Sequence, residues 1–287
     1  MKPILAASAF AALATTASAG DTTYLSYGAD VGTVQIFGTE ISIGGAFVGG
    51  EYDTGTFLFT GEASLQYLDV PGGSGTLARV ETLTGYRMEP NLMLLAGLNY
   101  NYSWTNSGSG DSLNYSLGFE HDRGRLVLGA YGEGGETASD KIVGYLGYQI
   151  SEATEVAFEV EKEMTDDDPF YTLILAHERG PLEIMALWET DFDNEFISLG
   201  GSYDINDRFR GMARIGYLGD GLASYQVGAG YQVARNAWLE GSFTTIQNAG
   251  FKVEQFELNL TFETGSKHLT RSRIEDWKEE SRPIFIF

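Results

Sequence analysis

The sequence predicts an all-β fold, a transmembrane antiparallel β-barrel of about sixteen strands, with about twelve or fourteen as the alternative counts. Three observations carry this. Apolar and polar residues alternate with period two along most of the chain. The composition combines 37 glycines, six prolines and 13% aromatics, which suits many strands and tight turns rather than a disordered chain. Turn signals recur about every fifteen residues, enough for spans of about 9 to 11 residues with overhangs.

The first element is an export signal. Lys2 supplies a positive start, Ile4 to Ala14 a short apolar core, and Ala17-Ser18-Ala19 the small residues a signal peptidase accepts before Gly20. The apolar run falls short of the roughly 18 to 20 residues of a spanning helix. The expected organisation is therefore a signal peptide over 1–19, a barrel over 20–263 and a charged tail over 264–287. With no second long apolar run, the mature chain either stays in solution or crosses a membrane as a closed barrel.

Periodicity favours the barrel. Phe57, Phe59, Gly61, Ala63, Leu65 and Tyr67 alternate with Leu58, Thr60, Glu62, Ser64 and Gln66. Over 92–104, Leu92, Leu94, Ala96, Leu98, Tyr100, Tyr102 and Trp104 form a second such face, with leucines central and aromatics at one end, as a lipid-facing band rising into a girdle requires. Similar segments occupy 113–119, 142–150, 156–164, 171–177, 182–188, 209–219 and 256–262; residues 22–52 and 195–233 alternate less cleanly. Connections after even strands are tight, as at Glu89-Pro90-Asn91, Arg123-Gly124, Ser151-Glu152-Ala153 and Arg179-Gly180-Pro181. Longer loops are expected after odd strands, at Val70–Gly75, Asn106–Asp111, Glu133–Ser139 and Thr165–Asp168. That phase fits a barrel with its amino terminus in the periplasm.

Repeated amphipathic strands behind a signal peptide, a Phe256-Leu258-Leu260-Phe262 closing strand and a carboxy-terminal Phe287 together resemble a Gram-negative outer-membrane β-barrel of the porin type. The resemblance implies an outer-membrane location, passive diffusion of small hydrophilic solutes and ions, no enzymatic activity and no cofactor. It also implies contact with outer-membrane lipid and lipopolysaccharide, and a homotrimer. In that family a terminal aromatic ends the last strand and is read during assembly, which assigns that signal to Phe256, Leu258, Leu260, Phe262, Phe285 and Phe287. The sequence departs from the family in two ways: about twenty-four residues follow the apparent last strand, and no loop is long enough to fold inward as a constriction. The tail, with a short helix expected over 270–280, is either a plug in the lumen or a solvated extension. A third alternative makes Pro283–Phe287 the closing strand.

If the apolar face meets lipid, the water path is lined by Glu62, Glu81, Glu155, Glu159, Glu161, Glu163, Glu183, Glu189 and Glu257, with Arg79, Arg87, Arg210 and Arg214 as the opposite sign. Facing walls of acid and base would screen solutes by charge, while the alternative is that each arginine pairs with a carboxylate to hold the wall. Forty acids against 18 bases, a net charge of -22, favour cations and argue against nucleic acid as a partner. Zero cysteines exclude disulfides, thiolate metal sites and a cysteine nucleophile. His121, His177 and His268 have no serine placed beside them by spacing, and no GxSxG elbow occurs. Asp166-Asp167-Asp168 reads as a solvated acidic loop before a calcium site, and the glycine runs Gly72–Gly75 and Gly132–Gly135 read as turns.

Overall fold

The computed structural model describes residues 21–106, 108–136, 140–165, 168–191, 193–219, 221–248 and 250–282. The expected signal peptide lies outside them, as do Phe285 and Phe287. Sixteen strands run in chain order: β1 (Asp21–Ile36), β2 (Thr39–Asp53), β3 (Phe57–Val70), β4 (Gly73–Glu89), β5 (Leu92–Thr105), β6 (Gly108–Asp122), β7 (Leu126–Gly135) and β8 (Lys141–Ser151), followed by β9 (Thr154–Glu163), β10 (Phe170–Arg179), β11 (Leu182–Thr190), β12 (Glu195–Asn206), β13 (Phe209–Leu218), β14 (Leu222–Ala234), β15 (Ala237–Asn248) and β16 (Phe251–Gly265). One helix, α1 (Thr270–Ser281), follows.

Each strand pairs antiparallel with its sequence neighbours, and β1 pairs with β16 from Tyr24↔Gly265 to Ile36↔Val253, closing the barrel. Closure removes every free sheet edge, the condition for a backbone to cross lipid. It also corrects one alternative: both edges of β1 are occupied by β2 and β16, so the closing strand is Phe251–Gly265. Pro283–Phe287 lie outside the described residues.

The register sorts side chains cleanly. Across β3 to β6, Ala63↔Val80, Leu98↔Thr82 and Leu98↔Tyr115 share the outer face, with Phe57, Phe59, Leu65, Leu94, Leu117 and Phe119 all exposed there. Ring pairs gather on that face at the end holding the start of β1 and the finish of β16, here the terminal rim: Tyr27–Phe262 at 4.7 Å, Phe57–Tyr86 at 5.2 Å and Phe209–Tyr231 at 5.2 Å. Tyr100, Tyr102, Trp104 and Tyr217 ring the opposite, or loop, rim. Aromatics at both ends of an apolar band are the arrangement an interface on each side of a bilayer selects.

Two expected loops are absent. β3 and β4 are paired out to Val70↔Gly73, and β5 and β6 to Thr105↔Gly108, so Val70–Gly75 and Asn106–Asp111 are the tips of long hairpins. Gly72 takes φ 96° at the first of these turns, a conformation glycine supplies without a Cβ clash. The longer connections fall at 136–140, 164–169 and 191–194, each after an odd strand, while 219–221 is no longer than 54–56 and 123–125, which follow even strands. β16 also runs two residues beyond the expected barrel boundary at 263.

Candidate functional site

The lumen holds a helix. After β16 the chain turns inward, fixed by Ser266 N–H donating to the Thr23 carbonyl at 3.0 Å, and α1 rises from the terminal rim. Twelve residues at 1.5 Å each make it about 18 Å long. Its apolar side packs on the inward face of β7 to β11, where Ile274 joins Tyr131, Val143, Tyr145, Ala157, Ile174, Met185 and Leu187 in one buried cluster, with Trp277 against it. Leu269, just before the helix, fills a second cluster with Leu58, Leu83 and Leu95.

Carboxylates of the wall take over the work that helix-end residues usually do. α1 has no acidic residue in its first turn and no side-chain cap of its own, so its leading N–H groups need acceptors from elsewhere. Glu51 accepts from the His268 N–H at 3.0 and 3.1 Å, and its Oε1 lies 2.9 Å from His268 Nδ1. Glu120 accepts, at longer range, from the N–H groups of Thr270 (3.5 Å) and Arg271 (3.4 Å). Negative charge there also complements the helix dipole. Glu120 is steadied in turn by the Tyr145 hydroxyl at 2.9 Å. The Tyr145 ring lies where a Cβ on Gly129 would be, and a Cβ on Gly147 would come 2.9 Å from Thr270 Cγ2. These two glycines let the ring and the helix reach the wall.

The basic side chains of the tail then climb a ladder of glutamates. Arg273 donates to Glu155 at 2.7 Å, Lys278 to Glu159 at 2.7 Å, and Arg282 Nε to Glu189 at 3.1 Å. Arg271 stacks over Tyr131 at 3.6 Å and donates to Ser116, while Tyr131 donates to Glu275 at 3.3 Å. Lys278 also lies 3.6 Å from Glu275. Burial opposes the charge on Glu275, but Lys278, Arg271 and Lys141 outweigh it and hold the carboxyl below its usual range. Burial likewise works against Lys278, yet Glu275 and Glu159 raise its pKa above the ordinary lysine value.

Beside α1 a crescent of about 210 Å³ stays open against β2 to β8. Glu62, Arg79, Glu81, Asn99 and Lys141 line it from the wall, with Arg271, Glu275, Asp276 and Glu279 from the helix. Its lining carries seven carboxylates (Glu51, Glu62, Glu81, Glu133, Glu275, Asp276 and Glu279) against four cations (Arg79, Lys141, Lys267 and Arg271).

Of the residues expected on the water path, Glu155, Glu159 and Glu189 hold the helix. Glu62, Arg79 and Glu81 border the crescent, and Glu161 pairs with Lys141 at 3.1 Å. Glu163 sits opposite Lys141 in the ladder. Glu183 accepts from Ser202 and Glu257 from Gln255. The arginines take local partners: Arg79 with Glu81 at 2.6 Å, Arg87 with Asp53 at 2.6 Å, Arg210 with Asp204 at 2.7 Å, and Arg214 with the Gln226 side chain at 3.3 Å. Arg79, Arg87 and Arg210 are thus neutralised by carboxylates of the wall itself, whereas Arg214 meets the neutral Gln226 amide. Phe256, Leu258 and Leu260 are exposed on the outer face and Phe262 stacks across the seam on Tyr27. Sequence reasoning missed Glu51 and Glu120. Glu120 was within reach, because it alternates with Phe119 on a strand whose outer face was legible.

The sequence matches no protein-family model and no curated protein. The fold is similar to those of solved structures. Pseudomonas aeruginosa OccK1 (OpdK) superposes with a TM-score of 0.54 at 10% identity, over 84% of this chain and 98% of that one. For Pseudomonas aeruginosa OccK3 (OpdO) the values are 0.55, 11%, 85% and 96%, and for Acinetobacter baumannii OccAB3 they are 0.53, 9%, 85% and 99%. OpdK is an outer membrane protein, and one crystal structure contains it with vanillate. At these identities the likeness is one of fold.

Proposed function

We propose that the chain is an outer-membrane diffusion channel for small hydrophilic solutes, reached after export and removal of residues 1–19, with a bore narrowed by its own carboxy-terminal helix. The observation that carries this reading is the closed sixteen-strand barrel with an apolar, aromatic-rimmed exterior and a charged lumen that α1 fills only in part. The outer membrane protein OpdK, similar in fold, supports it. The excess of carboxylates along the crescent supports a preference for cations, since fixed charge of one sign raises the local concentration of the other. Conduction needs no catalytic residue and no cofactor. Contact with lipid and lipopolysaccharide, and trimer formation, belong to the same proposal.

Single-channel recording in a planar bilayer under a salt gradient tests it, comparing the mature chain with one ending at Gly265. The expected result is a small cation-selective conductance that rises when the tail is removed. Silence from the full chain with conductance from the shortened one would make the helix a complete plug, a reading its ladder of wall contacts favours. Silence from both, with insertion verified, would overturn the channel reading.

A further inference from the structure

The two rims differ in charge. Connections at the loop rim carry Glu136, Asp140, Asp168, Asp191 and Asp193, and no lysine or arginine. Those at the terminal rim carry Arg123, Arg125, Arg208 and Arg235 against Glu152 and Asp207, and the strand ends there add Arg179 against Asp53, Glu89 and Asp122, so this rim mixes both signs where the loop rim is acidic. The partners differ as well. Lumen cations such as Arg79, Lys141, Arg210, Arg273, Lys278 and Arg282 are all ion-paired. Among the described residues no side-chain hydrogen bond or ion pair is found for Arg125, Arg179, Arg208 or Arg235, and all four are exposed. In a chain of net charge -22, leaving the unpaired guanidinium groups together on one rim marks that rim for an anion supplied from outside.

One place on the rim is shaped for it. An open hollow of about 460 Å³ is lined by Arg125, Ile150, Ser151, Glu152, Ala153, His177 and Arg179. Two guanidinium groups outnumber the single carboxylate of Glu152. A hydroxyl relay orients the imidazole: the Ala153 N–H donates to Ser151 Oγ (3.3 Å), Ser151 Oγ to Thr154 Oγ1 (3.1 Å), and Thr154 Oγ1 lies 2.9 Å from His177 Nδ1. Among the described residues no hydrogen bond is found for His177 Nε2, which leaves that ring nitrogen to a ligand. Leucine, isoleucine and tyrosine continue from the hollow along the outer face toward mid-barrel: Leu175, Ile150 and Tyr148 are 39%, 50% and 42% exposed. A charged donor set at the rim above an apolar strip matches a molecule with an anionic head and a hydrocarbon tail.

Resting on the reading of this chain as a membrane barrel, we infer that the hollow at Arg125, His177 and Arg179 seats the phosphate of a phospholipid from the leaflet at the terminal rim. The acyl chains lie along Ile150, Tyr148 and Leu175. The four unpaired arginines also fix which rim faces that leaflet.

The test uses the full mature chain refolded in a neutral detergent, with heat-dependent gel mobility recorded on the same sample and native mass spectrometry as the readout. Dioleoyl phosphatidylglycerol is the probe, diacylglycerol the phosphate-free control and inorganic phosphate the competitor. The expected result is a phosphatidylglycerol adduct that diacylglycerol does not form, that R125Q/R179Q weakens about tenfold, and that R208Q/R235Q leaves within about twofold. An adduct unchanged in R125Q/R179Q overturns the site, as does equal retention of diacylglycerol. Complete displacement by millimolar inorganic phosphate would make the hollow a free-anion site and overturn the lipid assignment. Each of those results, in a protein with heat-dependent mobility, leaves the membrane reading standing. A chain that needs no detergent and shows no mobility shift overturns that reading and this inference with it.

Discussion

Lys278 is the residue on which the docked helix depends most heavily. Its ammonium lies 2.7 Å from Glu159 and 3.6 Å from Glu275, and the Lys278 and Glu159 side chains are 7% and 3% exposed. Lys278→Met removes the cation that bridges the two carboxylates. Breaking a buried pair by deleting one member costs about 3–5 kcal/mol, so the docking equilibrium shifts by roughly two to four decades. Glu159→Gln is milder, about 1–2 kcal/mol, because Lys278 keeps Glu275 as a partner. The double variant Lys278→Met/Glu159→Leu leaves no stranded charge and returns close to wild type, since a buried pair exchanged for apolar residues is often neutral. Limited trypsin digestion of the folded barrel, read as the rate of cleavage after Arg271 and Arg273, follows the docked fraction. Conductance rises in parallel. Equal cleavage rates for Lys278→Met and Glu159→Gln would refute the argument, as would a double variant no better than Lys278→Met.

Other parts of the docking interface yield graded effects. Ile274→Ala removes the apolar anchor of α1, which is 1% exposed, and costs docking about 2–5 kcal/mol, again read by tail proteolysis. Gly129→Ala drives a methyl into the Tyr145 ring and costs about 1–3 kcal/mol, whereas Tyr145→Phe removes only the bond to Glu120 and costs about 1 kcal/mol; measuring tail cleavage in both separates ring position from hydroxyl. Docking also depends on pH, and the charged groups of α1 do not all act in one direction. The lowered pKa of Glu275 gives stabilisation present above the usual carboxylate range and lost only as pH falls through the lowered value, and the raised pKa of Lys278 gives stabilisation present below the usual lysine value and lost only as pH rises through the raised one. Glu280 acts the other way: burial raises its carboxyl to about 8, so it favours docking below the usual carboxylate range and loses that contribution as pH rises through about 8. The fluorescence difference between wild type and Trp277→Phe should therefore decline between about pH 5 and pH 8 and flatten in Glu280→Gln, and a wild-type profile flat across that range would contradict the assignment.

The strands were legible wherever side chains face two different solvents. Phe57–Tyr67 and Leu92–Trp104 show full alternation because one face meets the apolar exterior and the other the polar lumen, and the Glu155, Glu159, Glu161 series follows from the same period. The hairpin tips at 70–75 and 106–111 were not legible. Glycine and serine there carry weak strand propensity, and a tip beyond the apolar band needs only its backbone ladder, about which side-chain pattern is silent. The helix was expected from local composition, but its place was not. Docking depends on Glu51, Glu120, Glu155, Glu159 and Glu189 converging from four strands, and convergence of that kind is a property of closure and register, invisible at any single position.

The capping of α1 by carboxylates from the wall sets an order of events during assembly. An isolated twelve-residue helix without caps is unstable in water, because nucleation is costly and short helices gain little to offset it. The acceptor for the first N–H of the helix sits 150 residues earlier in the chain, and the acceptor for His268, just before it, 217 residues earlier, on strands that face each other only once the cylinder exists. The tail therefore stays a coil until the last hydrogen-bonded seam, β1 against β16, has formed. Its appearance as helix marks a finished barrel, and a barrel arrested with an open seam would betray itself by an unprotected carboxy terminus.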